Sequence, residues 1–414
     1  SGVSRDDPWA RYPAGSPEGR LIAGLPPLWA APALAREAPA VPAVVGEPWA
    51  GPVSTQEAFG RVLGALGRLP VGDHLVTLSA DVAVTTHLAA WIGRKGVYFP
   101  RARADHFREI PQAVPWRESP AGQHVELGIA EHNLFLALGA LGLSRELSGV
   151  TLLPIGTLYD PFVSRGLDAL YHALYSGARF VVAATPSGVS LSPEGGAHQS
   201  VITPGIGVAL PDISYCDPAF AQEVEWILLD ALGALARREG ESLYLRLSTR
   251  PVDQSLAPAP TPAPRAAGLR GGYRRVDARG EAGYDPGDTA VHLFAAGVMV
   301  PEAVEAAGRL RASGVLANVF VVTSPDRLYR GLRARRPYLE ELVAAEEEGV
   351  PVVSVVDGHS HALAFIGGAL GVPQLALGVD HFGQSGTRGD LYRHYGIDAP
   401  AIAAAALTLL ARRG

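Results

Sequence analysis

The chain has 414 residues, 48% hydrophobic and 18% charged, a balance that suits a globular protein of two or three domains and argues against disorder. Thirty-five basic against 41 acidic side chains leave a formal charge of −6, without the Lys/Arg block that would mark a nucleic-acid partner. One cysteine, Cys216, excludes a disulfide framework and a multi-cysteine metal site, and apolar runs such as 134–143 fall short of the roughly 18 residues a membrane span needs. A soluble, cytoplasmic protein is expected.

Ser1 stands where an initiator methionine would, which suggests a processed start. Residues 21–35 faintly resemble a secretory core, but Pro26 and Pro27 interrupt them. Residues 1–53 therefore read as a Pro-rich N-terminal arm lying over a partner or over its own domain. Organised sequence begins at Ser54, which with Glu57 fits a capping box ahead of Phe59, Val62, Leu63 and Leu66 at helical spacing. Strands and helices then alternate. The expected strands are 74–81, 151–159, 178–188 and 242–248, and the expected helices are 127–143, 162–175 and 218–238. Such alternation implies a parallel sheet covered on both faces.

Prolines at 258, 260, 262 and 264 predict a stiff polyproline-like linker. A second α/β unit follows, with strands at 289–297, 315–323 and 350–358 and helices at 301–313 and 400–412. The expected fold is α/β: two doubly wound domains with a Pro-rich N-terminal arm. The boundaries are 1–53 for the arm, 54–252 for the first domain, 253–287 for the linker and 288–414 for the second domain.

Three features at successive strand ends could carry chemistry. Glu126 and Glu131 lie near the start of the 127–143 helix, where a carboxylate can equally be a partner of the helix dipole. The loop 190–200 presents Glu194 and His198 around Gly195–Gly196. A surface histidine in a flexible loop is the structural alternative there, although glycines also let backbone approach a ligand. The tip at 78–87 carries Asp81, Thr85, Thr86 and His87. Each signal is weak alone. Together they gain weight, because open α/β sheets bind ligands at the carboxyl ends of their strands. His359 and His361 have metal-like spacing but no third ligand is evident, so a structural role is favoured. No nucleophile elbow, Walker loop or dinucleotide fingerprint is present.

The segments ELGIAEHNLF (126–135), LLPIGTLYDPFVSRGLDAL (152–170), TPSGVSLSPEGGAHQS (185–200) and DHFGQSGTRGDLYRHYGIDA (380–399) together resemble the thiamine diphosphate enzymes of the transketolase superfamily. They look closest to the homodimeric-type decarboxylase component of pyruvate dehydrogenase, over about residues 54–414. The resemblance makes 54–252 a pyrimidine-binding domain and 288–414 a transketolase-type C-terminal domain.

It also implies roles for individual residues. Glu131 matches the glutamate that hydrogen-bonds the aminopyrimidine and favours the imino tautomer that deprotonates the thiazolium carbon. Phe162 falls where the family stacks an aromatic ring on the pyrimidine. Asp81 matches the aspartate of the strand tip near the thiazolium, with His87 beside it. His198 matches a histidine facing the substrate, with Glu194 in the same loop, one residue shorter than in transketolases.

The family binds diphosphate and Mg²⁺ through a separate domain carrying a G-D-G motif and a later asparagine, and residues 1–414 contain no G-D-G. The resemblance therefore implies half of a composite site. The Mg²⁺ ligands are expected on a second chain that carries the pyrophosphate-binding domain, in an α2β2 heterotetramer, or else on a removed portion of a longer precursor, and no metal site is expected on this chain. A lipoyl-bearing acyltransferase is a further expected partner. The leading expectation is decarboxylation of a pyruvate-like 2-oxo acid with transfer of the two-carbon unit. A transketolase-like or acyloin-forming carboligase, and a non-catalytic structural subunit, stand as alternatives.

Overall fold

A computed structural model describes residues 12–25, 38–101, 109 and 114–412. Most of the 21–35 segment with secretory character lies outside them. The first half is built on eight strands: β1 (Leu75–Ser79), β2 (Val97–Tyr98), β3 (Glu118–Ser119), β4 (His124–Glu126), β5 (Leu153–Leu158), β6 (Val181–Ala184), β7 (Ile213–Cys216) and β8 (Ser242–Arg246). They pair in the order β3-β2-β4-β1-β5-β6-β8-β7, every pair parallel. A parallel sheet must be covered on both faces. On one face lie the helices Thr55–Leu66 and Ala221–Arg237, through Phe59, Leu63, Val224, Leu228 and Leu232. On the other lie Glu131–Gly142 and Leu167–Tyr175, through Leu134, Phe135, Leu138 and Leu170. Ser54 caps its helix as expected, accepting from the backbone N–H of Glu57 at 3.1 Å.

The second half contributes β9 (Gly272–Val276), β10 (Ala290–Ala296), β11 (Leu316–Val322), β12 (Val352–Val355) and β13 (Gln374–Leu377), in the order β9-β11-β10-β12-β13. All pairs are parallel except the edge strand β9, which runs antiparallel to β11. The helices Val300–Arg311 and Ala399–Ala411 cover one face. Val189, Ala219 and Phe220 of the first half share that core, so the two halves are packed together.

Three expectations are corrected. The 253–287 segment is not a polyproline spacer. Residues Pro262–Arg270 form a helix and Gly272–Val276 join the second sheet. Pro262 and Pro264 fall in the helix's first turn, where the backbone N–H groups they lack have no intrahelical acceptor anyway. Helix 127–143 begins only at Glu131, because Gly128 takes a φ of +67° and breaks the run. Helix 162–175 is a 3₁₀ segment, Asp160–Gly166, followed by an α-helix from Leu167. Of the arm, residues 38–51 pack on their own domain: Val41, Val45 and Trp49 touch its core, and the Val45 N–H and Trp49 Nε1 donate to Glu225 at 2.7 and 2.9 Å.

Candidate active site

From β1 the chain runs to β2, β3 and β4 on one side and then crosses from β4 to β5 and β6 on the other, so the sheet order reverses around β1. The carboxyl ends of β4, β1, β5 and β6 are neighbours there, the place where an open α/β sheet forms its ligand crevice. Each candidate lies on a connection leaving one of them.

From β4 the chain turns through 127–130 to Glu131, the first residue of its helix. Glu131 is buried, and its Oε1 accepts from Arg165 Nη1 at 3.0 Å. From β5 it turns through Tyr159 into the 3₁₀ segment that holds Phe162 and Arg165. Two glycines permit this packing. A Cβ on Gly156 would lie 2.6 Å from Leu138 Cδ1, and one on Gly166 would lie 2.3 Å from Phe135 Cδ2 and 2.9 Å from the Glu131 carbonyl oxygen. The helix of Glu131 and the segment of Arg165 therefore approach more closely than side chains would allow.

From β6 the chain enters the loop of His198, a half-buried residue. The His198 ring meets Phe162 edge-on at a centroid distance of 5.7 Å and Tyr159 at 6.0 Å. Tyr159 lies nearly parallel to Phe162 at 6.0 Å, and its hydroxyl donates to Thr85 Oγ1 at 3.2 Å. Glu131, Phe162 and His198 thus belong to one cluster of contacts, joined by Arg165 and Tyr159. The latter two sit in the quoted 152–170 segment, and the i, i+3 spacing of Phe162 and Arg165 was the signal available for their pairing.

The remaining candidates are placed differently. Asp81 is exposed at the tip of β1 with a φ of +63°, and its N–H donates to Glu126 Oε1 at 2.8 Å. Glu126 is thereby the residue that shapes the tip; it ends a strand rather than starting a helix. His87 does not join the cluster. It lines a separate groove with Glu57, Gly60, Arg61 and Gly64, against the helix Thr55–Leu66. Its backbone takes a φ of +62°, which turns the chain away after Thr85–Thr86. Glu194 is exposed. Its loop is held by the second half: Ser192 Oγ donates to the Gly386 carbonyl at 2.8 Å, and Gln199 Nε2 to those of Ser192 and Gln384 at 3.0 and 2.9 Å. The 380–386 motif therefore buttresses the His198 loop.

Beneath the site lies a buried ionic network absent from the sequence-based expectations. Arg246 donates through Nε to Asp160 at 2.9 Å, through Nη1 to Asp217 at 3.0 Å, and through Nη2 to Ser200 Oγ at 3.1 Å and the Asp357 carbonyl at 2.7 Å. Ser200, Thr203 and Tyr244 also donate to Asp160. One guanidinium thus ties the segment of Phe162, the loop of His198 and the second half together. Burial pushes the Asp217 carboxyl up, while Arg246 pulls it down.

Cys216 is buried and its thiol is pushed up to about 11, mainly by burial, which suits an inert core residue. His359 Nδ1 lies 2.8 Å from His361 Nδ1 and 3.4 Å from Asp380. Among the described residues no group of three His, Cys, Asp or Glu side chains could hold a metal ion.

The fold and these strand-end connections define a two-domain α/β protein of the transketolase type. The family model described as "Pyruvate dehydrogenase E1 component middle domain" matches residues 41–250, about half of the chain. "Transketolase-like TK C-terminal domain" matches 271–398. The chain belongs to the family of that middle domain, within the transketolase-like proteins, and corresponds to their middle and C-terminal domains. It is 28% identical to the pyruvate dehydrogenase E1 component of Corynebacterium glutamicum over 83% of this chain and 38% of that protein. It therefore spans about two fifths of that relative's length. The transketolase structure from Campylobacter jejuni superposes with a TM-score of 0.67 at 17% identity, over 87% of this chain and 48% of that one. A split gene transketolase solved as an inactive beta4 tetramer superposes with a TM-score of 0.60 at 22% identity, over 88% of this chain and all of that one.

Proposed function

We propose that this chain is one half of a composite thiamine diphosphate enzyme that decarboxylates a pyruvate-like 2-oxo acid and transfers the two-carbon unit. The observation that carries the reading is the cluster of Glu131, Phe162 and His198 on the connections leaving the carboxyl ends of β4, β5 and β6. A buried carboxylate beside an aromatic ring suits an aminopyrimidine: the ring takes the flat face and the carboxylate takes a ring nitrogen. When bound, the cofactor supplies the carbanion chemistry. Glu131 holds a proton at the pyrimidine nitrogen, Phe162 orients the ring, and His198 holds or moves a proton on the substrate's carbonyl oxygen. Asp81 stands at the neighbouring strand tip.

No group of three His, Cys, Asp or Glu side chains that could hold a metal ion is found among the described residues. The metal and diphosphate ligands are assigned to a partner chain, in an α2β2 assembly. This assignment is supported by the chain's spanning only 38% of the Corynebacterium relative.

A second reading keeps the site and changes the acceptor, giving a transketolase-like carboligase. The full-length match in fold to a split gene transketolase favours it. Co-purification with the product of the adjacent reading frame, followed by incubation with thiamine diphosphate, Mg²⁺ and pyruvate, distinguishes the two. Acetyl transfer to a lipoyl domain is the expected result. Release of a hydroxyketone when an aldehyde is added selects the carboligase, and failure of the purified complex to bind thiamine diphosphate refutes both.

A further inference from the structure

Arg165 makes both contacts that the proposed site reserves for the pyrimidine. Its Cζ stands 3.7 Å from the centre of the Phe162 ring, a stacked cation–π contact. Its Nη1 donates at 3.0 Å to the Glu131 carboxylate. A guanidinium is flat, and its N–C–N edge presents the same donor pattern to a carboxylate as a protonated amidine, the grouping that an aminopyrimidine carries. The two ends of the pair differ in freedom. The Glu131 side chain is 7% exposed and fixed at a helix start, whereas that of Arg165 is 52% exposed, so its head can swing into water without opening the core.

Resting on the proposed function, we infer that the Phe162–Glu131 seat is occupied by the chain's own Arg165, and that a pyrimidine enters by exchanging with it. Arg165 acts as a built-in competitor. It keeps the buried Glu131 carboxylate paired until a planar nitrogen heterocycle takes the place, and exchange releases a cation beside the Phe162–His198 contact. Neither contact is strong, because a half-exposed ion pair and an exposed cation–π contact are each modest. The competition should therefore lower affinity by roughly tenfold, equivalent to about 1.4 kcal/mol.

The test uses the full chain and 4-amino-5-hydroxymethyl-2-methylpyrimidine, which lacks the diphosphate and so needs no partner. Binding is followed by titration calorimetry, and the Arg165 side chain by ¹⁵N-arginine NMR. Arg165→Met should bind the pyrimidine about tenfold more tightly than the parent chain. The gain should vanish in Glu131→Ala/Arg165→Met. Saturation of the parent should move the Arg165 Nε resonance to the position of a solvent-exposed arginine. Arg165→Lys, which keeps a cation on Glu131 but loses the flat face, should still bind severalfold more tightly, and it serves if the Met variant does not fold.

Equal or weaker binding by the variants, an Arg165 resonance unmoved at saturation, or no binding by any form at millimolar pyrimidine overturns the inference. Any of these outcomes leaves partner-dependent turnover open to its own test, and a failure of turnover leaves the exchange measurable.

Discussion

Arg246→Met removes the cation that bridges Asp160 and Asp217 beneath the site. All three side chains are buried. Removing one partner of a buried ionic network leaves carboxylates without their counter-charge and typically costs about 3–5 kcal/mol. Hydroxyls of Ser200, Thr203 and Tyr244 still donate to Asp160, which directs the expected loss to the lower end, about 3 kcal/mol. Protonation can relieve an orphaned carboxylate, so the loss should be smaller at pH 5 than at pH 8. Asp160→Asn placed in the Arg246→Met background removes one of the two stranded charges and should recover about 1 kcal/mol. Urea denaturation of the three forms, read by circular dichroism at both pH values, measures each quantity. A single-variant loss below about 1 kcal/mol, or one independent of pH, would refute the argument that this network is held by charge pairing.

Glu223 is buried, accepts from the Ala219 and Phe220 N–H groups and the Tyr273 hydroxyl, and is pushed up to about 7 from 4.5 by burial against those hydrogen bonds. Between those values the folded chain holds a proton that the unfolded chain has lost. Stability should therefore fall as pH rises through the window, by about 3 kcal/mol. Glu223→Gln should abolish that fall, and unfolding free energies at pH 5 and 8 that change equally in both forms would contradict it. Gly166→Ala places a methyl group within 2.3 Å of Phe135, so a loss of about 1–3 kcal/mol is expected from denaturation midpoints. In the complex with its partner, His198→Ala should lower turnover by roughly 10²–10⁴-fold while thiamine diphosphate affinity changes little. Collapse of affinity with turnover intact at saturation would remove His198 from proton transfer.

Local rules made much of this fold legible. Ser54 and Glu57 announce a helix because a cap is satisfied within four residues, and the apolar strands of the first sheet are recognisable because both its faces are covered. What escaped depends on distant partners. Pro262 and Pro264 read as a spacer until the helix that accommodates them docks on the first domain. Short edge strands such as Glu118–Ser119 have no pattern of their own and exist through pairing with Val97–Tyr98. Glu131, Phe162 and His198 are nameable from their motifs, and the structure brings them into one cluster of contacts through Arg165. His87, adjacent to the same strand tip in sequence, turns into another groove. Arg246 reads as one charge in an apolar strand, SLYLR. Its meaning appears only when Asp160, Asp217 and Asp357 converge from three other segments.

The central claim is that residues 1–414 supply the pyrimidine half of a composite site and that its diphosphate half comes from outside them. Calorimetric titration with thiamine diphosphate and Mg²⁺, on the chain alone and on the chain saturated with its partner, tests it most directly. The account predicts micromolar, Mg²⁺-dependent binding only with the partner present, and loss of that binding in Glu131→Ala. Micromolar Mg²⁺-dependent binding by the chain alone would contradict it.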